Sequence, residues 1–77
     1  MIMKYAVSEN TGGPEVYHGQ NLSKPSATAL AKKLVSEGKT GIYVPFFRKA
    51  DGQKGYLNRD GDHAITGIDW SADAEIL

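Results

Sequence analysis

The sequence predicts an α+β fold in which an antiparallel sheet carries one helix on one face, with elements in the order ββαβββ. Three observations point there. One segment has helical periodicity, the runs around it alternate every second residue as strands do, and two Asp-Gly pairs punctuate the second half as hairpin turns.

Ile2 to Ser8 reads as the first strand, with Met3, Tyr5 and Val7 on one face, and runs into the turn formers Asn10-Thr11-Gly12-Gly13-Pro14. Glu15 to Gly19 reads as its return strand. For the helix, Ser23 is an expected N-cap, Pro25 falls in the first turn where its missing N–H costs little, and Gly38 suits the left-handed position past the end. Between them Ala27, Leu30, Ala31, Leu34 and Val35 fall on one arc, with Lys32, Lys33 and Ser36 opposite.

The second half reads as three strands joined at Asp51-Gly52 and Asp60-Gly61. Two-residue loops at these pairs would set Phe47 opposite Tyr56, Phe46 opposite Leu57, Tyr56 opposite Ile65, Leu57 opposite Ala64 and Arg59 opposite Asp62. Alternation then assigns Ile42, Val44, Phe46, Leu57, Ala64, Ile68 and Trp70 to the core beneath the helix. The other face would carry Tyr43, Pro45, Phe47, Tyr56 and Ile65, flanked by Lys49 opposite Lys54 and Asn58 opposite His63. Pro45 cannot donate to a ladder, which predicts an edge position or a bulge. Where the first hairpin joins the sheet is left open.

The chain of 77 residues is expected to be one domain, with residues 71–77 as a candidate flexible acidic tail. A domain this small buries only about 60% of its unfolded surface, which leaves little room for an internal substrate cavity. The absence of Cys removes disulfides, thiolate metal sites and a Cys nucleophile. No apolar run reaches the roughly 18 residues of a membrane span and the N-terminus lacks a signal-peptide pattern, so a cytoplasmic location is expected.

The balanced net charge conceals a segregation. Lys24 to Arg59 holds eight basic residues against Glu37 and Asp51, a surplus of +6, whereas Asp60 to Leu77 holds five acids and no base, and the first 23 residues add −1. Such polarity fits a surface that meets a charged partner, or one half of the chain neutralising the other.

No catalytic constellation emerges, and neither a cofactor nor a metal is expected. Asn58, Asp60 and Asp62 have the spacing of early calcium-loop ligands, but His63 stands where that loop needs Gly and Asp69 where it needs Glu. Lys54-Gly55-Tyr56 opens like an RNA-recognition pattern, but Leu57 breaks it and that fold needs a second helix. Gly12-Gly13 precedes a Pro and no helix, so it is no phosphate cradle. His18 and His63 are the only imidazoles and read as surface or half-buried residues.

The sharpest functional feature is therefore the aromatic and basic sheet face. The expectation is a non-enzymatic protein-interaction module, an inhibitor or accessory factor, with Tyr43, Phe47, Tyr56 and Ile65 as anchors and Arg48, Lys49 and Lys54 steering. The C-terminal residues or a second copy in a homodimer compete with a protein partner for that face. An alternative is single-stranded nucleic-acid binding on the same face. Another has Asp60, Asp62, Asp69, Asp73 and Glu75 mimic phosphates toward a nucleic-acid-handling protein, an analogy of size and charge with small proteins of phages and mobile elements.

Overall fold

In the computed structural model residues 3–72 are described throughout, and 74 and 75 through their backbone. The α+β architecture is present. Strands β1 (Met3–Glu9), β2 (Val16–Leu22), β3 (Ile42–Arg48), β4 (Gln53–Leu57) and β5 (His63–Ala64) form one antiparallel sheet in the order β2-β1-β3-β4-β5. Helix α1 (Lys24–Ser36) lies between β2 and β3 in the chain, and a short ribbon of β6 (Ile68–Asp69) and β7 (Ala74–Glu75) follows. The first hairpin thus joins the sheet through β1, which pairs with both β2 and β3. Because β1 runs antiparallel to both, β2 and β3 are parallel, and α1 is the crossover that connects them and packs on β1, β3 and β2.

The helix ends as its residues dictate. The Ser23 hydroxyl accepts from the Ser26 N–H at 3.4 Å, and Pro25 sits in the first turn. At the other end the Gly38 N–H donates to the Val35 carbonyl and the Lys39 N–H to that of Leu34, a Schellman closure that needs the left-handed Gly38 at φ +87°. Ala27, Ala31 and Leu34 are buried, with Leu30 and Val35 packed at the margin, the arc expected from periodicity.

The core lies between this arc and Tyr5, Val7, Ile42, Val44, Phe46 and Leu57 on one face of the sheet. Trp70 closes one end of it. Its backbone N–H donates to the Ile42 carbonyl at 2.7 Å, its indole N–H to the Leu57 carbonyl at 3.1 Å, and only 3% of its surface is exposed.

Both hairpin registers differ from expectation. At β3–β4 the loop spans four residues, 49–52, so Phe46 faces Gly55 and Phe47 faces Lys54. The Asp51 carboxylate accepts from the Gln53 N–H and the Gly52 N–H donates to the Arg48 carbonyl, which spreads the turn beyond Asp51-Gly52. This moves the register by two residues, an even shift that leaves every side chain on its expected face. At β4–β5 the shift is one residue, and the faces of β5 invert. His63 pairs with Leu57 on the helix-covered face, and Ala64 pairs with Tyr56 on the open one. The cause is Asn58, whose side-chain oxygen accepts the N–H groups of both Asp60 and Asp62 and organises a five-residue loop.

Three further expectations are corrected. The second strand runs on to Leu22, past Gly19, with two register shifts against β1 and a left-handed Asn21 at φ 56°. Pro45 lies in the central strand of the sheet, not at an edge, and neither ladder shifts register there as a bulge would require. Its missing N–H falls where the β1–β3 pairing is interrupted, between Tyr5↔Phe46 and Ser8↔Tyr43. The single third strand expected after Asp60 divides at residues 65–67, so β6 leaves the main sheet and pairs with β7. Ile68 is consequently half-buried and outside the core.

Candidate functional site

Helix α1 covers one face of the sheet, and the other face, carrying Lys4, Ala6, Ser8, Tyr17, Tyr43, Pro45, Phe47, Lys54 and Tyr56, has no element packed on it among the described residues. Of the row expected from the sequence, Phe47 and Tyr56 share this face, but Phe47 pairs with Lys54 and Tyr56 with Ala64.

At one end Phe47 is flanked in register by two cations. Lys4 of β1 is its partner on one side and Lys54 of β4 on the other, which places the side chains about 5 Å apart at their Cβ atoms. Phe47 is 41% exposed, both lysines are exposed, and neither is in an ion pair among the described residues. The midsection is low, because Ala6 and Pro45 offer little side chain. Tyr17, Gln20 and Asn21 rise from β2 on one side and Phe47 and Lys54 on the other, enclosing an open groove of about 430 Å³.

The opposite end is acidic and tyrosine-rich. Tyr43 donates its hydroxyl to the Glu15 carboxylate and packs its ring at 5.7 Å from that of Tyr56. A hydrogen bond to the Glu15 carboxylate raises the Tyr17 phenol above its ordinary pKa, with burial and the negative charge of Glu15 adding to it. Ser8 lies beneath, fully buried between Tyr17 and Tyr43 in register, and its hydroxyl has no hydrogen-bond partner among the described residues. The open face thus runs from a lysine pair at Phe47, inside the groove, to the Glu15 carboxylate, outside it beyond Tyr17.

The expected site residues divide accordingly. Phe47, Lys54 and Tyr56 share the open face, with Tyr56 half-buried. Tyr43 is on that face but only 8% exposed, so it supports the site and offers no free anchor surface. Ile65 is 88% exposed and no longer opposes Tyr56, yet it lines a shallow cleft with Pro45, Lys54 and Tyr56. Lys49 is exposed in the β3–β4 loop. Arg48 points the other way, on the face of Phe46, where it pairs with Asp51 at 3.5 Å.

The acidic residues do not gather into one described surface. Asp60 and Asp62 stand exposed in the β4–β5 loop. Asp69 turns inward and accepts from the Gly41 N–H at 3.1 Å and from the Ser71 N–H and hydroxyl at 2.9 and 2.7 Å. Burial pushes its carboxyl up, but these bonds, with one from the Ile42 backbone, outweigh burial and hold its pKa below the ordinary 3.8. Asp73 and the side chain of Glu75 lie outside the described residues, as do Ile76 and Leu77, the residues expected to reach over the aromatic row.

Sequence reasoning missed Lys4, Tyr17 and Glu15. Alternation did place Lys4 opposite in face to Tyr5; only the pairing of β1 with β3 was needed to bring it beside Phe47. A second basic surface lies along α1, where Lys24, Thr28 and Lys32 face Arg59 and Asp60 across a cleft of about 590 Å³. Among the described residues no three His, Asp or Glu side chains converge on a metal-sized site, and no helix is long and apolar enough to cross a membrane. The chain matches no family model, no curated protein and no solved structure, so the functional argument rests on this geometry.

Proposed function

We propose that the chain is a small non-enzymatic binding module that takes a segment of a partner protein in the open-face groove. The observation that carries this reading is Phe47, a half-exposed aromatic held in register between Lys4 and Lys54 at the mouth of a groove floored by Ala6 and Pro45. Exposed aromatics beside cations are the usual anchors of a recognition surface. The compartment proposed for it is the cytoplasm, the location expected from the sequence.

The same face is a poor platform for single-stranded nucleic acid. Base stacking needs several aromatic faces in succession. Here Tyr43 is covered, Tyr56 is half-covered, and the two most open rings, Phe47 and Tyr17, stand on opposite walls of the groove. The formal net charge of zero also favours a protein partner over a polyanion.

The test is selection from a phage-displayed random peptide library, with wild type and Phe47→Ala as parallel baits, and fluorescence anisotropy of labelled oligo-dT at low salt. Peptides retained by wild type and lost on a folded Phe47→Ala support the reading. Oligo-dT binding that falls steeply with salt and depends on Phe47 would replace it with the nucleic-acid reading.

A further inference from the structure

The open face has a direction. Along the strands its two ends, marked by Phe47 and Tyr43, are four residues apart, about 13 Å of extended chain. One end holds Lys4 and Lys54, exposed and without an ion-pair partner among the described residues. The other end holds Glu15, whose carboxylate is fixed by Tyr43 and reinforced by Tyr17. Between them lies the Ala6–Pro45 floor, which has no polar side-chain atom.

A partner of uniform charge would meet repulsion at one end. From this polarity, and resting on the binding-module reading above, we infer that the ligand is an extended peptide with an ordered charge pattern. It places acidic side chains at the Lys4–Phe47–Lys54 end, an apolar side chain on the Ala6–Pro45 floor, and no acidic residue at the Tyr17 end. The acidic positions receive two unpaired ammonium groups on either side of a ring edge. The apolar position receives the low midsection, where Phe47 and Tyr17 flank it as walls. An acid at the Tyr17 end would face the fixed charge of Glu15, which is the discriminating element.

Pro45 adds a second constraint. Its ring occupies the floor in the central strand, so the ligand lies over the sheet surface and is read by side chains. The groove, of about 430 Å³, has room for a few side chains of an extended peptide.

Two probe peptides of equal length test this, each labelled at one terminus: one with two glutamates, a leucine and two serines in that order, the other with lysines replacing the glutamates. Binding is followed by amide chemical-shift changes in the full chain. The acidic probe is expected to shift Lys4, Ala6, Phe47, Lys54 and Tyr17, and the lysine probe to leave them unmoved. The double variant Lys4→Glu/Lys54→Glu is expected to weaken the acidic probe about tenfold and to gain affinity for the lysine probe. Neither lysine is buried, so the variant keeps the fold, which its own amide spectrum verifies.

If the lysine probe shifts the open-face amides of wild type as strongly as the acidic one, the charge order is wrong while the open-face reading stands. If library-selected peptides bind but shift only amides along α1, both are overturned. Selected peptides that bind the open face with acids at both ends overturn the role given to Glu15.

Discussion

Replacing Gly55 by Ala is expected to destabilise the domain, because the β3–β4 register sets this glycine against the Phe46 ring. A Cβ at Gly55 would stand 2.5 Å from Phe46 Cε1, 2.8 Å from Cζ and 2.9 Å from the Ala64 carbonyl oxygen. Phe46 is only 6% exposed and packs at 4.7 Å from the His63 ring and 6.1 Å from that of Tyr5, so it has little room to withdraw. Overpacking of this kind costs about 1–3 kcal/mol. Gly55 is not among the left-handed glycines, so alanine is not strained there and recovers about 0.4–1 kcal/mol through the unfolded chain. The side chain has little room to withdraw, so the net loss is expected in the upper half of the resulting range, about 1–2.6 kcal/mol, or a fall in Tm of roughly 4–20 °C for a domain of this size. Urea and thermal unfolding measure it. Phe46→Leu in the same chain is expected to remove most of the cost of Gly55→Ala, a coupling a double-mutant cycle reads directly. Under the two-residue turn that the sequence first implies, Gly55 would face Arg48 and the alanine would be harmless. An unchanged or raised Tm would therefore refute the register described here.

Other substitutions probe other joints. Trp70→Phe keeps the ring in the core but removes the indole N–H that the buried Leu57 carbonyl accepts, and is expected to cost about 1–3 kcal/mol in urea unfolding. Ser8→Ala removes a buried hydroxyl that has no partner among the described residues, so stability should stay level or rise, read as an unchanged or higher urea midpoint. The folded pKa of Asp69 lies below its ordinary 3.8, so its contribution is present above that value and is lost as pH falls through the folded pKa. Asp69→Asn should accordingly lower Tm at neutral pH and flatten the acid side of the Tm–pH curve relative to wild type.

Much of the fold was legible because its signals are local. The arc from Ala27 to Val35, the Ser23 cap and the Gly38 closure are helix chemistry read within one segment, and they stand as expected. Alternation in β3 and β4 survived a wrong turn length because an even register shift cannot change faces. Turn chemistry was the weak point. Asp-Gly favours a two-residue loop, but Asp51 and Asn58 each spend a side-chain oxygen on backbone N–H groups further along, and both loops lengthen. One odd shift sufficed to turn His63 to the face of Phe46, where it stays exposed yet meets that ring and the Tyr5 hydroxyl at 2.7 Å, and to detach Ile65 from the aromatic row.

The site was legible only in part for a different reason. Phe47, Lys54 and Tyr56 are close in sequence and their hairpin announces itself. Lys4 and Tyr17 reach the same face through pairings of β1 with β3 and with β2 that span much of the chain, and no local pattern specifies which strand a first hairpin joins. The hydrogen bond of Tyr43 to Glu15 likewise escapes alternation, because Glu15 lies in the turn between β1 and β2.

The central claim is that ligands enter the groove between Phe47 and Tyr17. An NMR footprint of a library-selected peptide on the full chain tests it most directly. The largest amide shifts are expected at Lys4, Ala6, Tyr17, Phe47 and Lys54, and Phe47→Ala is expected to abolish them. Shifts confined to Lys24, Thr28, Lys32 and Arg59 would place the binding surface along the helix and contradict it.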